Sequence, residues 1–495
     1  MLIDARELPA AKSLRADIAI VGAGAAGIVL AHELAARHRS VLLLESGGFR
    51  FNPETQKLYD GTAVGTVLTP EANYLASTRL RYDGGSTNHW GGWCRPLDAI
   101  DFERHDWVPH SGWPIDVHDL APYYRRAEEL LGIPSFDTET DQLRGAKVLI
   151  PESDCVTTKL FHIRKRRFRR TIGRRLLESD VQVVTHANLV EIQLDPAGQG
   201  ILRLDVVSSP GKGFRVEAES YVLATGGVEN ARLLLASRSV QEAGVGNGHD
   251  LVGRYFMEHP HCLVGSIVVN RPAGADRFYL HRSSPEDRRV PALCLTEKER
   301  RRRHLLGVAF TLAPSSRASR KPEEAFWRSA TDIDRLRSPN SETQQPFLAD
   351  VHVRWEQAPN SESRVRLGDE VDRLGVPRAR LEWKLAERDL AVLRESSKIL
   401  AQELGRFRGG RLAIRLDSQN PWQGVVWGAH HMGTTRMAAV PSQGVVDANC
   451  KVFGINNLWI AGSSVFPTVG FANPTLTILS LVYRLSDHLH GELDR

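Results

Sequence analysis

Three glycines near the N-terminus have the spacing of a phosphate-binding turn. Gly22, Gly24 and Gly27 lie in the segment VGAGAAG, between an apolar run and a helical pattern. In such a turn the first glycine permits the tight bend, the second lets a pyrophosphate approach the backbone, and the third lets helix and strand pack closely. Glu45 closes the next apolar run, where a carboxylate can accept hydrogen bonds from ribose hydroxyls. These residues predict a bound dinucleotide and leave open whether it is FAD or NAD.

A second glycine-rich segment, RYDGGSTNHWGG at 81–92, favours FAD. Its four glycines surround small polar residues, a histidine and a tryptophan. This composition suits backbone that lies flush against a flat ring, because glycine carries no side chain to hold the ring away. The alternative is a turn-rich loop that holds no ligand.

Near the C-terminus, the segment GFANPTLTIL places Asn473 directly before Pro474 at the predicted start of the last helix. Asn is among the best N-cap residues and Pro is favoured at the first helical position, so a helix cap alone explains the pair. The alternative is that Asn473 belongs to a catalytic pair. A candidate partner lies in the segment AHHMGT, because a histidine can be a neutral base at working pH.

The elements that must position these residues are readable from the apolar pattern. Residues 17–45 have the order strand, glycine turn, helix, strand, which predicts a βαβ unit opening a parallel sheet. Segments 220–237 and 456–468 add strands to that sheet. Residues 262–420 contain strands without crossover helices, which predicts an antiparallel sheet, and 313–346 is predicted to be a polar surface excursion.

The predicted fold class is therefore α/β plus α+β, a Rossmann-type FAD-binding domain with an inserted antiparallel-sheet substrate-binding domain. The proposed boundaries assign residues 1–110, 181–261 and 421–495 to the FAD-binding domain, and 111–180 and 262–420 to the substrate-binding domain and connecting segments.

Several segments, in order along the chain, resemble the glucose-methanol-choline (GMC) oxidoreductases. RYDGGSTNHWGG is similar to the family's flavin-contacting segment, TGGVENARLLL to its middle flavin motif, and HANLVEI to the strand that contacts the adenine. WGAHHMGTTRM and GVVDANCKVFGINNLWIAGSSVFPTVGFANPTLTIL resemble its C-terminal signature. Ala461 stands where many members carry an acid, and this version looks more like the sugar- and glycoside-oxidising, pyranose oxidase-like branch.

The resemblance implies that His430 sits over flavin N5 as the catalytic base, that Asn473 pairs with it, and that His431 is a neighbour. It implies oxidation of an alcohol group on a sugar, glycoside or other polyol, with hydride transfer to N5 and electrons passed to O2 or another acceptor. The residues expected to bind FAD are Gly22, Gly24, Ala25, Ala26, Gly27, Glu45, Ser46, Gly85, Ser86, Asn88, His89, Trp90, Gly91, Gly92, Val190, Gly226, Gly462, Ser463, Asn473, Pro474 and Thr475.

His89 raises the question of covalent attachment. In the family's pyranose and choline oxidases the linking histidine follows paired glycines after three intervening residues, and His89 follows Gly84 and Gly85 with that offset. The alternative is that His89 hydrogen bonds to backbone or cofactor. We favour non-covalent FAD, since a motif match alone does not establish the chemistry of the link.

Composition excludes several classes of protein. No apolar run approaches the ~20 residues of a membrane helix, and no export signal is recognisable, so we expect a cytoplasmic protein without membrane insertion. Five scattered cysteines argue against disulfides and a metal site and are expected to be buried thiols. The net charge of +5 implies no particular partner, and the sequence leaves the oligomeric state open.

Two basic runs, RKRRFRRTIGRR at 164–175 and KERRRR at 298–303, are expected to be solvated faces. Neither lies in a nucleic-acid reader motif, so no nucleic-acid partner is expected. The alternative for 164–175 is a docking patch for an acidic or carrier-bound substrate. A further rival function is a lyase that holds flavin without redox chemistry, since the resembled family includes hydroxynitrile lyases.

Overall fold

The computed structural model describes residues 1–69, 73–151, 153–269, 275–280, 288–314, 347–408, 410–417 and 419–494. The predicted βαβ unit is confirmed by strand Ser13–Val21, helix Ala25–Ala35 and strand Val41–Leu44, with the two strands paired in parallel. Both strands end in fully buried aliphatic runs, as expected when a parallel sheet is covered on both faces.

The first sheet is mixed, parallel through most of its width and antiparallel at one edge. Its strands, in spatial order, are Leu2–Asp4, Gln182–Thr185, Val41–Leu44, Ser13–Val21, Lys212–Leu223, Ile201–Ser209 and Asn188–Leu194. Leu458–Ile460 also pairs in parallel with Lys212–Leu223. The segments predicted to share one doubly wound sheet therefore do so.

The second sheet is antiparallel throughout its described pairings. Its strands, in spatial order, are Arg411–Ile414, His261–Val269, Phe347–Trp355, Val308–Pro314, Arg288–Leu295, Val156–Ile163 and Trp93–Cys94. The antiparallel sheet predicted within 262–420 is thus present, joined by two strands from earlier in the chain. Most of the predicted excursion, residues 315–346, lies outside the described residues.

A small third sheet contains Arg364–Val371, Pro377–Trp383 and Gly61–Gly65. The described helices are Ala25–Ala35, Pro53–Gln56, Tyr74–Ser77, Val117–Leu131, Glu139–Leu143, Ile172–Leu177, Glu229–Ala236, Ala275–Leu280, Glu297–Arg303, Glu387–Arg408 and Thr475–Leu493. Within the described ranges, no helix has both the length and the apolar character needed to cross a bilayer.

Helix Thr475–Leu493 connects the C-terminus to the first βαβ unit. It packs against helices Ala25–Ala35 and Val117–Leu131 and buries Leu476, Leu479, Val482 and others at helical spacing. Removing this apolar face from water holds the start of the helix in a fixed place beside the first sheet.

The basic runs are only partly solvated, so that expectation is corrected. Arg300 of the KERRRR run is buried and pairs with Asp101 at 2.8 Å and Glu356 at 3.3 Å. In the run 164–175, Arg169 forms an ion pair with the buried Asp83. The exposed members of that run are Lys165, Arg167, Arg170, Arg174 and Arg175.

The cysteines carry no disulfide, and four of the five are buried. Cys155 is half-buried, which corrects the expectation for that residue. Burial raises the pKa of Cys94 to about 12, so its thiol stays neutral and unreactive. No group of three or more metal-ligating side chains occurs in the part of the chain that the structure describes.

Candidate active site

A cavity of about 730 Å³ opens at the carboxyl ends of the parallel strands. Val21, Leu44, Ala224 and Ala461, each at or just past the end of a first-sheet strand, line it. This edge of an α/β sheet is the usual ligand site, and the volume falls in the ~300–1,000 Å³ range of cofactor sites.

Most of the predicted site residues meet around this cavity, although they come from segments far apart along the chain. Those that line it are Gly22, Gly24, Ala25, Ala26, Glu45, Ser46, Gly85, Ser86, His89, Trp90, Gly91, Gly92, Gly226, His430, Gly462, Ser463, Asn473, Pro474 and Thr475. Gly27, Asn88 and Val190 do not line it.

Gly22 and Gly27 have the structural roles that the spacing of the glycine turn predicts. Gly22 has φ +106°, and a Cβ there would lie 2.7 Å from the Ala224 carbonyl oxygen. A Cβ on Gly27 would lie 1.9 Å from the Gly22 carbonyl oxygen, so Gly27 permits the helix to pack on the turn. A Cβ on Gly24 would meet nothing within 4 Å, which leaves the backbone open to a ligand in the cavity.

Glu45 lies buried beyond strand Val41–Leu44. One carboxylate oxygen accepts a hydrogen bond from Ala23 N at 3.0 Å, and the other accepts one from Gly47 N at 2.8 Å. Burial raises the pKa of Glu45, and these backbone bonds oppose that shift. The oxygen bonded to Gly47 N also accepts from Ser46 Oγ at 3.3 Å, so the further lone pair available to a ribose hydroxyl is on the oxygen bonded to Ala23 N.

The loop 81–92 is held by its own side chains. Gly84 and Gly85 have φ of +92° and +52°, a left-handed bend that favours glycine. Asn88 Nδ2 donates to Asp83 O at 2.9 Å, so this residue shapes the loop rather than lining the cavity. Trp90 Nε1 donates to Arg166 O at 3.0 Å, which anchors the far end.

Val190 lies at the other end of the cavity, on the edge strand Asn188–Leu194. The cavity wall here is made by Ala187 and Leu189. The pairing with the neighbouring strand runs from Leu189 to Glu191 and skips Val190. A bulge residue of this kind has backbone groups outside the regular ladder, so a backbone contact of Val190 with the adenine stays a prediction.

His430 and Asn473, the predicted catalytic pair, are in contact. Asn473 Nδ2 lies 3.0 Å from His430 Nε2, and Arg354 Nη1 donates to Asn473 Oδ1. The arginine can only donate, so it fixes the orientation of the asparagine amide with Nδ2 toward the histidine. His430 Nε2 therefore accepts this bond and carries no proton.

His259 completes the assignment of the histidine protons. Its Nε2 lies 2.9 Å from Gly470 O and so must donate, which leaves its Nδ1 as an acceptor in the neutral ring. His430 Nδ1 lies 3.0 Å from His259 Nδ1 and must be the donor. The chain of bonds from Arg354 to Gly470 thus holds His430 neutral, with its Nε2 lone pair accepting from Asn473 Nδ2 at the cavity.

Asn473 is not the cap of the last helix. The helix begins at Thr475 with Pro474 as its N-cap residue, and no side chain caps it. The local interpretation of Asn473 as a cap is therefore wrong, because its amide is committed to His430 and Arg354.

His431 points away from His430. Its Nε2 lies 3.1 Å from Thr78 Oγ1, and its ring packs against Tyr74 and Phe256 with centroids 5.4 Å and 5.8 Å away. Burial lowers the pKa of His431 to about 3. This histidine lines the cavity as a neutral residue, and its ring packs against the core.

The structure adds three residues that sequence reasoning missed: Glu258, His259 and Arg354. Buried Glu258 accepts from Tyr74 Oη at 2.5 Å and from Gly428 N at 3.2 Å. These contacts hold the strained turn before His430, where Ala429 has φ +59°. For Glu258 and His259, the sequence signal was a group of titratable residues, MEHPH, at the start of a predicted strand.

The electrostatics of His430 predict its pH dependence. Burial, reinforced by His259, His261 and Arg354, holds the pKa of His430 well below its ordinary value of 6.5. A base at this position acts in its neutral form, so activity should fall only as pH drops through this lowered pKa. We expect the rate of flavin reduction to stay level from pH 8 through 6.5 and to decline only well below pH 6.5, measured by anaerobic stopped-flow absorbance. An acid limb centred at or above pH 6.5 would contradict this assignment.

Two family profiles match the chain. The FAD dependent oxidoreductase profile matches residues 17–318, and the GMC oxidoreductase profile matches residues 359–481. The chain belongs to the FAD-dependent oxidoreductases, its C-terminal part matches the GMC oxidoreductases, and FAD is its cofactor.

Individual relatives align over nearly the whole chain. It is 27% identical to 6'''-hydroxyparomomycin C oxidase from Streptomyces lividus and 25% identical to paromamine 6'-oxidase from Streptomyces fradiae, in each case over 96% of this chain and 92% of the relative. Pyridoxine 4-oxidase from Mesorbium loti is a solved structure with the same fold, with a TM-score of 0.58 and 17% identity over 96% of this chain and 99% of that one.

The residues at the cavity fit FAD. Gly24 leaves its backbone open, and helix Ala25–Ala35 begins there without a side-chain cap or an acidic residue in its first turn, so its N–H groups can bind a pyrophosphate. Glu45 would hold the ribose, and the 81–92 loop would lie against the ring.

Gly24→Ala tests this fit. The added methyl group meets nothing in the ligand-free fold, so the apoprotein should melt normally. The substitution should weaken FAD binding at least about tenfold, because the methyl group keeps the pyrophosphate away from the backbone N–H groups. Tenfold is the lower end of the cost of losing charge-assisted hydrogen bonds. Titration of apoprotein with FAD measures the Kd, and Gly248→Ala, at an exposed position that is equally open, is the control. Unchanged affinity in Gly24→Ala would place the pyrophosphate elsewhere.

The state of His89 predicts that FAD is released on denaturation. His89 is exposed, and its Nε2 lies 3.0 Å from Tyr82 Oη, a hydrogen bond that occupies the nitrogen. Protein denatured in acid and passed through a filter should give a yellow filtrate. Yellow protein from the wild type, but colourless protein from His89→Ala, would instead establish a covalent bond at this residue.

Proposed function

We propose that the protein oxidises an alcohol group, CH–OH to C=O, on a sugar, glycoside or other polyol, with His430 as the base. The observation that carries the proposal is the His430–Asn473 pair in the cavity, with its protons assigned by Arg354 and His259. The relatives named as oxidases of paromamine and hydroxyparomomycin C support a sugar-derived substrate.

In this mechanism the substrate hydroxyl replaces the direct hydrogen bond between Asn473 Nδ2 and His430 Nε2 and binds between the two side chains. It donates its proton to His430 Nε2 and accepts a hydrogen bond from Asn473 Nδ2, which stabilises the negative charge developing on the oxygen. Bound FAD supplies the hydride acceptor. His430 can hold the proton because its ring is neutral beforehand, and His259 keeps the ring oriented through Nδ1.

Helix Thr475–Leu493 supports the same chemistry through its position. Pro474 and Thr475 at its start line the cavity, and no acidic residue lies in its first turn. The partial positive charge of a helix N-terminus therefore faces the site and favours negative charge there.

Anaerobic flavin reduction across a panel of sugars, glycosides and simple alcohols tests the proposal. Bleaching of the flavin by at least one polyol is the expected result. Turnover without bleaching would favour the flavin-holding lyase. On the basis of the sequence, the proposal also includes transfer of the electrons to O2 or another acceptor and a cytoplasmic location. It keeps the domain boundaries given in the sequence analysis.

A carrier-bound or acidic substrate docked at 164–175 is the alternative substrate mode. The exposed side chains of Lys165, Arg167 and Arg170 support this mode. Their segment also contacts the loop 81–92, since the ring centroids of Phe168 and Trp90 lie 6.2 Å apart. Salt-sensitive binding of an acidic carrier protein would favour this mode.

A further inference from the structure

Arg354 places a cation beside the proposed catalytic pair. It lies on strand Phe347–Trp355 of the second sheet, opposite His261 on the neighbouring strand, and is 9% exposed. Its guanidinium carbon stands 4.3 Å from the ring centroid of Trp93, which lines the cavity with His430. Arg354 itself does not line the cavity, so its charge lies directly behind the lining side chains of Trp93 and Asn473.

The charge of Arg354 is not balanced by a carboxylate of the described chain. Three other buried arginines, Arg95, Arg232 and Arg300, each contact two carboxylates. Among the described residues, Arg354 forms no ion pair, and its hydrogen-bond acceptor is the neutral Asn473. A buried charge without a counter-ion is costly, so an external anion would be stabilising here.

Donors of Arg354 remain available to such an anion. Among the described residues, Nε and Nη1 of Arg436 are both unpaired and sealed from solvent. No nitrogen of Arg354 is in that state, so the donors that Asn473 does not use are open to solvent. Burial lowers the pKa of Arg354 to about 10, which still leaves it protonated at neutral pH. Its planar fork suits a carboxylate, which it can bind through two parallel hydrogen bonds.

The groups around Arg354 are neutral. Burial and the arginine itself lower the pKa of His261 to about 2, and burial lowers that of His259 to about 4. Trp93 and Phe161 offer ring faces, with the Phe161 centroid 5.2 Å from the guanidinium carbon. Among the residues that the structure describes, no acid pairs with Arg354 to compete with a ligand anion, and an ammonium group at this place would be repelled.

We propose that Arg354 is a substrate-binding residue that pairs with a carboxylate of the substrate, so that the enzyme oxidises a hydroxyl of a sugar acid or another polyhydroxy acid. The inference rests on the proposed function of the His430–Asn473 pair. Only the Asn473 amide separates Arg354 from His430, so the carboxylate lies within a few bonds of the reacting carbinol.

Matched substrates test the charge preference. Anaerobic flavin reduction is compared for glucuronate, glucuronamide, glucose and glucosamine, as the reduction rate constant divided by the substrate Kd. The wild type should favour glucuronate over glucuronamide at least about tenfold, the lower end expected for a charge-assisted hydrogen bond, and glucosamine should be the poorest. Equal values for glucuronate and glucuronamide would overturn the proposal.

Arg354→Gln separates substrate binding from an effect on Asn473. The loss for glucuronate should exceed the loss for glucuronamide at least about tenfold. Equal losses would mean that Arg354 acts only by orienting Asn473, and would overturn the proposal. Arg436→Gln, which removes a buried arginine that donates to His110 O, is the control for a general loss of packing.

A binding measurement without turnover tests the carboxylate site separately from the proposed function. Glucuronate and glucuronamide are titrated into oxidised enzyme, and the Kd is read from the change in flavin absorbance. Tighter glucuronate binding, lost in Arg354→Gln, supports the carboxylate site even if no polyol reduces the flavin, which would count against the proposed function alone. Glucuronate binding that is unchanged in Arg354→Gln would overturn the carboxylate site.

Discussion

Replacing His430 with alanine should slow reduction of the flavin at least about a hundredfold, because a positioned general base typically supplies about 10²–10⁴ of rate. The structure gives the reason, since the unprotonated Nε2 of His430, which Asn473 contacts, is on a ring that lines the cavity. FAD should stay bound, since the glycine turn and Glu45 are unaffected. Anaerobic stopped-flow absorbance measures the rate, and the ratio of flavin to protein absorbance measures the occupancy.

His431→Ala is the matched control for this variant. His431 is buried against Tyr74 and Phe256, so its loss leaves a cavity and should lower the melting temperature. The rate of flavin reduction in the remaining folded protein should change far less than in His430→Ala. If His431→Ala loses the rate and His430→Ala keeps it, the base has been assigned to the wrong histidine.

Replacing Asn473 with aspartate should lower the rate of flavin reduction about 10²–10³-fold, the usual cost of removing a donor to a developing oxyanion. An ionised aspartate cannot donate to the substrate oxygen. Its charge next to His430 also raises the pKa of that histidine, because an anion favours the protonated ring. The acid limb should therefore move to higher pH, so that raising the pH restores part of the rate.

The stability of Asn473→Asp should be nearly unchanged. Asn473 supplies no cap to helix Thr475–Leu493, and an aspartate would form an ion pair with the buried Arg354. Thermal unfolding compares the melting temperature of Asn473→Asp with those of the wild type and Asn473→Ala. Early melting of the variants with normal flavin reduction would mean that the residue is structural after all.

The glycine fingerprint was predictable from sequence because its constraints are local. Gly22 is required by the positive φ of the turn and Gly27 by the close approach of its helix to the Gly22 carbonyl, and the apolar runs on either side define those elements. The antiparallel strands of 262–420 were likewise visible as alternating or buried runs. Trp93–Cys94 was not, because a two-residue strand carries no periodicity and joins its sheet only through its partner Val156–Ile163.

The burial of Arg300 could not be predicted from the composition of its segment. A run of arginines looks solvated in sequence, and Arg301, Arg302 and Arg303 do remain largely exposed. One member turns inward because Asp101 and Glu356, distant in sequence, supply its counter-charges. Charge pairing of this kind depends on folding, since neither acid is recognisable as a partner beforehand.

The sequence by itself determined the cofactor class, the βαβ start, the antiparallel second sheet and the candidates His430 and Asn473, because these follow from short-range spacing and from family resemblance. Tertiary structure alone decided that the asparagine amide serves His430 rather than the helix, and that His431 faces the core. The physical reason is that an amide orientation and a histidine tautomer depend on hydrogen-bond partners. Here those partners, Arg354 and His259, are brought to the site by strands and loops far away along the chain.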